Sequence, residues 1–191
     1  MLWVWREPVE QPLPPASPLT FEFLGCDLID KDTTISALTN CGLGFPGAFA
    51  EEERSLAQAK KIFLLAAGTA MQKFREGLAE QQEIVASLAN IAMDIYAMES
   101  SLRRAQKAFA KRGESASVMG DATRAFVYDA MDRIEKDART ALAASADGDT
   151  LITQLAVLRR FAKHAPIDTI AIRRRVADAV LAQDRYPFDG R

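Results

Sequence analysis

The sequence predicts an all-α fold, an antiparallel bundle of four to five amphipathic helices behind an irregular N-terminal arm. Three observations predict it. From Ile84 through Leu88, Ile91, Ile95, Met98, Leu102, Ala105 and Phe109, apolar residues recur at alternating steps of four and three, so one face of a long helix is apolar throughout. Prolines cluster early, at Pro8, Pro12, Pro14, Pro15 and Pro18, and forbid a continuous helix there. Asp-Gly occurs twice, at Asp147-Gly148 and Asp189-Gly190, without alternating strands on either side, so the chain carries no hairpin signal.

The elements follow in order. Residues 1–48 read as a Pro/Gly-rich arm or linker, broken again by Gly42, Gly44, Pro46 and Gly47, with Phe21–Gly25 as a short strand or surface anchor. Residues 49–187 read as the bundle and 188–191 as a tail. Glu51, Glu52 and Glu53 complement the positive end of a first helix, whose apolar face is Leu56, Ala59, Phe63, Ala67, Ala70, Phe74 and Leu78. It is expected to end near Gly77 to Ala79, with Glu80-Gln81-Gln82 as a tight connection. The second helix carries the seam above and closes at Gly113, behind Lys107, Lys111 and Arg112. Ser115 or Ser117 is expected to cap a third helix with the seam Val127, Met131, Ile134, Ala138 and Ala141. Asp149 or Thr150 is expected to cap a fourth, with Leu151, Leu155, Leu158 and Phe161 inward, stopped by Ala165-Pro166. Asp168 or Thr169 opens a fifth, whose apolar positions are Ile170, Ile172, Val176 and Val180. Each helix needs its partners' apolar faces to be stable in water.

Composition narrows the function classes. The 191 residues are 49% hydrophobic and 26% charged, values of an ordinary globular protein with a real core. A formal charge of −2 argues against a nucleic-acid binder, since neutralising phosphates needs a basic surplus. Cys26 and Cys41 belong to no CxxC or Cys/His cluster, which leaves zinc without a ligand set and favours reduced thiols. No window reaches the ~20 continuous apolar residues of a membrane span. Met1–Pro8 lacks the basic and apolar regions of a signal peptide, and the acidic Glu7, Glu10 and Glu22 do not suit a transit peptide, so the expected location is the cytoplasm.

Several segments also carry a family resemblance. Ala57–Gly68, Asp94–Met98 followed by Glu99–Arg104, Thr150–Arg160, Pro166–Asp178 and the ending Arg185-Tyr186-Pro187 resemble, in order, the C-terminal helical domain of bacterial acyl-CoA dehydrogenases of the very-long-chain type. The likeness runs from about Glu51 to Pro187. The resemblance implies a flavoprotein family whose members use FAD and a glutamate base to oxidise the Cα–Cβ bond of an acyl-CoA thioester. Those elements belong to a core N-terminal to the matched region, and residues 1–50 do not resemble it. No catalytic, cofactor-binding or metal-ligating residue is therefore carried over, and FAD is expected in the full-length family rather than in this chain. The resemblance implies a structural and assembly role in an FAD-dependent acyl-CoA dehydrogenase of fatty acid β-oxidation, through a dehydrogenase core in cis or in trans and a homo-oligomer built on it. The alternative is a standalone helical module that binds a separately encoded dehydrogenase or forms a homodimer. The chain is expected to be a fragment, a truncated gene product or a separately encoded domain.

The residues expected to carry that role are packing or interface positions: Leu88, Ile91, Ile95, Met98 and Leu102 on the second helix, with Phe63 and Phe74 on the first. Chemistry-bearing residues have blander readings. His164, the only histidine, stands just before Ala165-Pro166, a favourable place near a helix C-terminus, and cannot by itself supply paired Glu-x-x-His ligands. Among Glu80, Glu83, Asp94 and Glu99, the Glu99–Arg103 spacing makes an ordinary surface pair. Ser100, Ser101, Ser115 and Ser117 have no nucleophile elbow, and Gly42-Leu43-Gly44 lacks the context of a phosphate loop. Arg159, Arg160, Lys163 and Arg173-Arg174-Arg175 read first as solvated helix faces, next as a contact for an acidic core surface. Some members of the resembled family associate with membranes through this region. Here the acidic balance of residues 1–40 disfavours an anionic bilayer, and Trp3 and Trp5 would anchor only weakly.

The seam yields one test. Ile95→Asp places an unpaired charge at its middle and should lower stability by about 3 kcal/mol or more. Chemical denaturation measures this, and an unchanged midpoint would refute the seam.

Overall fold

The computed structural model describes residues 49–183 and Phe188, all within a compact unit that spans Leu43–Arg191. Five α-helices occur among the described residues, and no strand does: α1 (Ala50–Phe74), α2 (Gln82–Arg112), α3 (Ser117–Ser145), α4 (Gly148–Ala162) and α5 (Thr169–Gln183). Two short 3₁₀ segments, Arg75–Glu80 and Gly113–Ala116, join the first three helices. The expectations for the arm, including Phe21–Gly25, Cys26, Cys41, Trp3 and Trp5, and for Arg185-Tyr186-Pro187, lie outside the described residues.

Cross-helix contacts establish the directions. Glu53 pairs with Gln106 and Lys60 with Glu99, so α1 and α2 are antiparallel. Thr123 donates to the Ser101 carbonyl and Arg133 to Asp94, so α3 turns back along α2. Lys73 reaches the Ala144 carbonyl and Asp147 at the far end of α3, while Lys61 lies over the Phe161 ring, so α4 descends beside α1. Arg173 meets Asp129 and Arg175 meets Asp121, which lays α5 antiparallel along the first half of α3. The helices α1, α2 and α3 pack on one another, α4 fills the groove between α1 and α3, and α5 lies mainly on α3.

The core is aliphatic and alanine-rich. Its largest fully buried side chains are Ile62, Ile91, Met98, Met131, Ile134, Leu142 and Leu158. Ala59, Ala66, Ala70, Ala105, Ala130, Ala138 and Ala141 share that core and let neighbouring backbones approach closely. On α2 the seam is buried from Ile84 to Ala105, and at its last step Ala108 is buried while Phe109 is only half-buried. On α1 the fully buried residues are Ala59, Ile62, Ala66 and Ala70, whereas Phe63, Ala67 and Phe74, with Leu78 in the 3₁₀ segment beyond, pack on the core while half-buried. Leu56, Ala59 and Ala70 are buried as expected, while between them the buried face runs through Ile62 and Ala66, one residue before Phe63 and Ala67. The helix is covered by α2 and α3 on one side and α4 on the other, and this broad burial is not a narrow seam.

Other termini also differ from expectation. The α-helix of α1 stops at Phe74, short of Gly77, because Arg75 takes φ +49 and ψ −123. That left-handed region strains a residue with a side chain, by about 1–3 kcal/mol. The backbone then continues as 3₁₀ turns to Glu80. Neither Ser115 nor Ser117 caps α3. Ala116 stands at the cap position, and the Ser117 N–H donates to the Glu114 carbonyl, because the preceding 3₁₀ turn already supplies an acceptor. Helix α4 begins before Asp149 and Thr150, with Asp147 at its cap position and Gly148 turning at φ +55. Helix α5 opens as expected, with the Ala171 N–H donating to Asp168 Oδ1 at 2.9 Å. Its apolar positions are not all inward: Ile172 is buried, but Ile170 is 62% exposed and Val180 39%. This helix rests mainly on one neighbour, which covers only a narrow arc of its surface.

At the end of the bundle where α1 begins, Phe49 and Phe109 stack edge-to-face with centroids 5.1 Å apart, and the Arg124 guanidinium lies over Phe49. Gly120 makes that arrangement fit, since a Cβ there would lie 2.9 Å from Phe109 Cε2 and 3.5 Å from Phe49 Cζ. Gly120→Ala should therefore destabilise the bundle by roughly 1 kcal/mol net, because overpacking of about 1–3 kcal/mol exceeds the helix-propensity gain of about 1 kcal/mol. Denaturant unfolding reads the change, and stabilisation by this substitution would disprove the wedge.

Candidate functional site

The residues expected to matter sit in the packed interior. Leu88, Ile91, Ile95, Met98 and Leu102 lie on the α2 face shared with α1 and α3, and all five belong to one core cluster. Phe63 and Phe74 border the same cluster but keep part of each ring accessible, and Lys73 Nζ stands 5.5 Å from the Phe74 centroid. These seven positions are therefore brought onto one body, five inside it and two at its edge.

Around this apolar interior the helices are joined by ion pairs. Arg133 forks onto Asp94, with Nη2 donating to Oδ1 at 2.6 Å and Nε to Oδ2 at 3.1 Å. Hydrogen bonding and charge from Asp94 raise the Arg133 pKa against the opposing effect of burial, so the guanidinium stays charged at any working pH. Glu52 accepts from Arg124 Nε at 3.2 Å, and Asp121 lies 3.7 Å from Arg124 Nη1. Asp121 also accepts from Arg175 Nε at 2.8 Å, so one chain of charges crosses α1, α3 and α5. Asp121 is among the few buried polar residues, and these contacts account for its burial.

The polar candidates resolve into structural roles. Glu99 meets Lys60 on α1 at 2.9 Å, and its expected helical partner Arg103 stands at 3.9 Å, so its main bond is between helices. Arg173 and Arg175 are exposed, as expected of a solvated face, and each is also paired with an aspartate of α3. Arg159, Arg160, Lys163 and Arg174 are exposed. His164 Nδ1 lies 2.7 Å from the Ala162 carbonyl, and its ring meets Tyr128 edge-on at 4.8 Å. Ser101 donates to the Met98 carbonyl within its own helix. Glu80 and Glu83 are exposed and do not join Asp94 and Glu99 in a carboxylate pair. Among the described residues no group of three or more His, Cys, Asp and Glu side chains is gathered to hold a metal ion, and no helix is long and apolar enough to cross a membrane.

What this arrangement can do is present surfaces. Met93 and Tyr96 on α2 are each 61% exposed, on the side of that helix away from its seam, with Val85 near them in the same helical face. Sequence reading missed this outer stripe because the inward seam accounts for the helix without it. It also missed Asp121 and Asp129. Their partners lie 54 and 44 residues away, and no local spacing announces such pairs.

Comparison with known proteins decides the affiliation. Residues 58–160, just over half of the chain, match the family described as "Acyl-CoA dehydrogenase, C-terminal domain". The chain belongs to the acyl-CoA dehydrogenase family. The matched region is the family's C-terminal domain. A curated relative, a probable acyl-CoA dehydrogenase of Bacillus subtilis (strain 168), is 36% identical over 141 residues, which make up 73% of this chain and 24% of the relative. The fold is also similar to the crystal structure of an acyl-CoA dehydrogenase complexed with FAD from Bacillus anthracis, with a TM-score of 0.72 and 32% identity. That match covers 81% of this chain and 28% of the other. The chain thus spans about a quarter of the length of the dehydrogenases it matches.

The Asp94–Arg133 fork gives a measurable quantity in this acyl-CoA dehydrogenase domain. A double-mutant cycle with Asp94→Asn and Arg133→Gln should return a coupling of about 0.5–1 kcal/mol, reduced by salt, since both groups are partly exposed to screening. A coupling of zero at low salt would remove the pair from the forces that hold α2 to α3.

Proposed function

We propose that this bundle is a non-catalytic structural and assembly domain of an FAD-dependent acyl-CoA dehydrogenase acting in fatty acid β-oxidation. The supporting observation is the match of residues 58–160 to the family's C-terminal domain, in a chain spanning about a quarter of its dehydrogenase relatives. In this reading the flavin and the catalytic base belong to a dehydrogenase core, supplied in cis or in trans, and the bundle packs on that core and supports a homo-oligomer through it. Residues 49–187 form the docking body, with residues 1–48 as its arm and 188–191 as its tail. The seam residues Leu88, Ile91, Ile95, Met98 and Leu102 act from within by making α2 rigid, and Phe63 and Phe74 border that body. Its outer α2 stripe, Val85, Met93 and Tyr96, is apolar surface of the kind an assembly contact covers.

This reading assigns no flavin contact to the described residues. Gly120 is the one described glycine with a crowded Cβ position, and the aromatic rings of Phe109 and Phe49 fill that space rather than leaving a cradle. The carboxylates of Asp94, Glu99 and Asp121 are bound to cations of the bundle itself, which leaves none of the three poised as a base. No step of the dehydrogenation is therefore assigned to these side chains.

The purified chain should carry no visible flavin absorbance and should not oxidise acyl-CoA. Co-expressed with the Bacillus subtilis relative truncated ahead of its matched region, it should co-purify with that core and raise its thermal midpoint. Stoichiometric flavin in the isolated chain, or no association with the core, would overturn the proposal.

A further inference from the structure

Helix α5 carries large apolar side chains on its outward face and only a narrow apolar strip toward α3. Its outward face carries Ile170, 62% exposed, and Leu181, 78% exposed, with Arg174 and Ala177 between them on the same side. Toward α3 it presents a narrow apolar strip, buried Ile172 with half-buried Val176 and Ala179, flanked by two arginines. Arg173 Nη2 donates to Asp129 Oδ1 and Oδ2 at 2.7 and 2.6 Å. Arg175 donates from Nε to Asp121 Oδ2 at 2.8 Å and from Nη2 to Oδ1 at 3.1 Å. Helix α4 has the same length, 15 residues, yet is held differently. It buries Leu158 and Ala162 in the α1–α3 groove, with Leu151, Leu155 and Phe161 against the core.

Length and solvent exposure decide the consequence. A helix of this length is marginal in water without its partner, so undocking and unfolding of α5 are coupled. Its forks are open to ions, since the Arg173 and Arg175 side chains are 53% and 57% exposed. Screening lengths fall from about 20 Å at 20 mM salt to about 4 Å at 500 mM, which weakens such pairs while leaving apolar burial intact. Residues 163–168, which join α4 to α5, are not helical and can act as the pivot.

We propose that α5 is an electrostatically latched strap, which leaves α3 and unfolds as a local unit when ionic strength rises, with α1 to α4 remaining folded. Release uncovers Asp121 and Asp129 on α3, so a carboxylate-bearing face opens as the strap departs. The device belongs to the chain itself and does not depend on its docking to a dehydrogenase core.

Amide hydrogen exchange on the full chain tests this at about 20 mM and about 500 mM sodium chloride. Protection of residues 171–182 should fall about tenfold or more at the higher salt, while that of α2 changes less than about twofold. In the Arg173→Ala/Arg175→Ala variant α5 should already exchange freely at low salt, with α2 unchanged. The charge exchange Arg173→Asp with Asp129→Arg should restore part of the low-salt protection. Three results would overturn the latch: equal, salt-independent protection of α5 and α2, a salt response unaltered in the double variant, or a loss shared by the whole bundle.

Discussion

The structure depends on the burial of one face of α2 between α1 and α3. Ile91 and Met98 are fully enclosed there, with Ile95 and Leu102 nearly so; α1 and α3 pack on that seam, and they in turn carry α4 and α5. Apolar burial of this kind is strong in sum but has little direction. It brings three helices together without choosing their register. Shape then matters: small alanines line the core, and Gly120 leaves room where the Phe49–Phe109 pair meets α3.

Ion pairs then act on an assembly that the core has already formed. Lys60–Glu99 and Arg133–Asp94 tie α2 to its two neighbours, and Glu52, Arg124, Asp121 and Arg175 form a line across the bundle. Such bonds contribute modestly at the surface, yet their geometry selects one arrangement among several that an alanine-rich core would tolerate. The balance shifts from α2, held by a long buried seam, to α5, held by a narrow apolar strip and two exposed arginine forks. Stability is therefore graded along the chain, and the last helix stands at the low end of that gradient.

Membership of the acyl-CoA dehydrogenase family sets a natural frame for this gradient. The chain spans about a quarter of the length of the relatives it matches, and it leaves Met93, Tyr96, Ile170 and Leu181 exposed. Of the candidate carboxylates, Asp94 and Glu99 join helices, while Glu80 and Glu83 are exposed. In this bundle the charged groups serve architecture, and the apolar groups both fill the core and leave stripes outside it.

The sequence by itself determined the fold class, the order of the helices and the inward residues of α2 and α3. Each of those follows from a period of 3.6 residues, which is a local property of the chain. Gly113 as the end of α2 and Asp168 as the cap of α5 were legible for the same reason, since caps act within a few residues. The tertiary structure decided what depends on which helices become neighbours. It displaced the buried face of α1 toward Ile62 and Ala66, because two sides of that helix are covered. It left Ile170 and Val180 outside, because α5 has mainly one support. It gave Arg173 and Arg175 to Asp129 and Asp121, because antiparallel packing brings residues more than forty positions apart within bonding distance. Periodicity names a face, and only packing determines how much of that face is covered and by what.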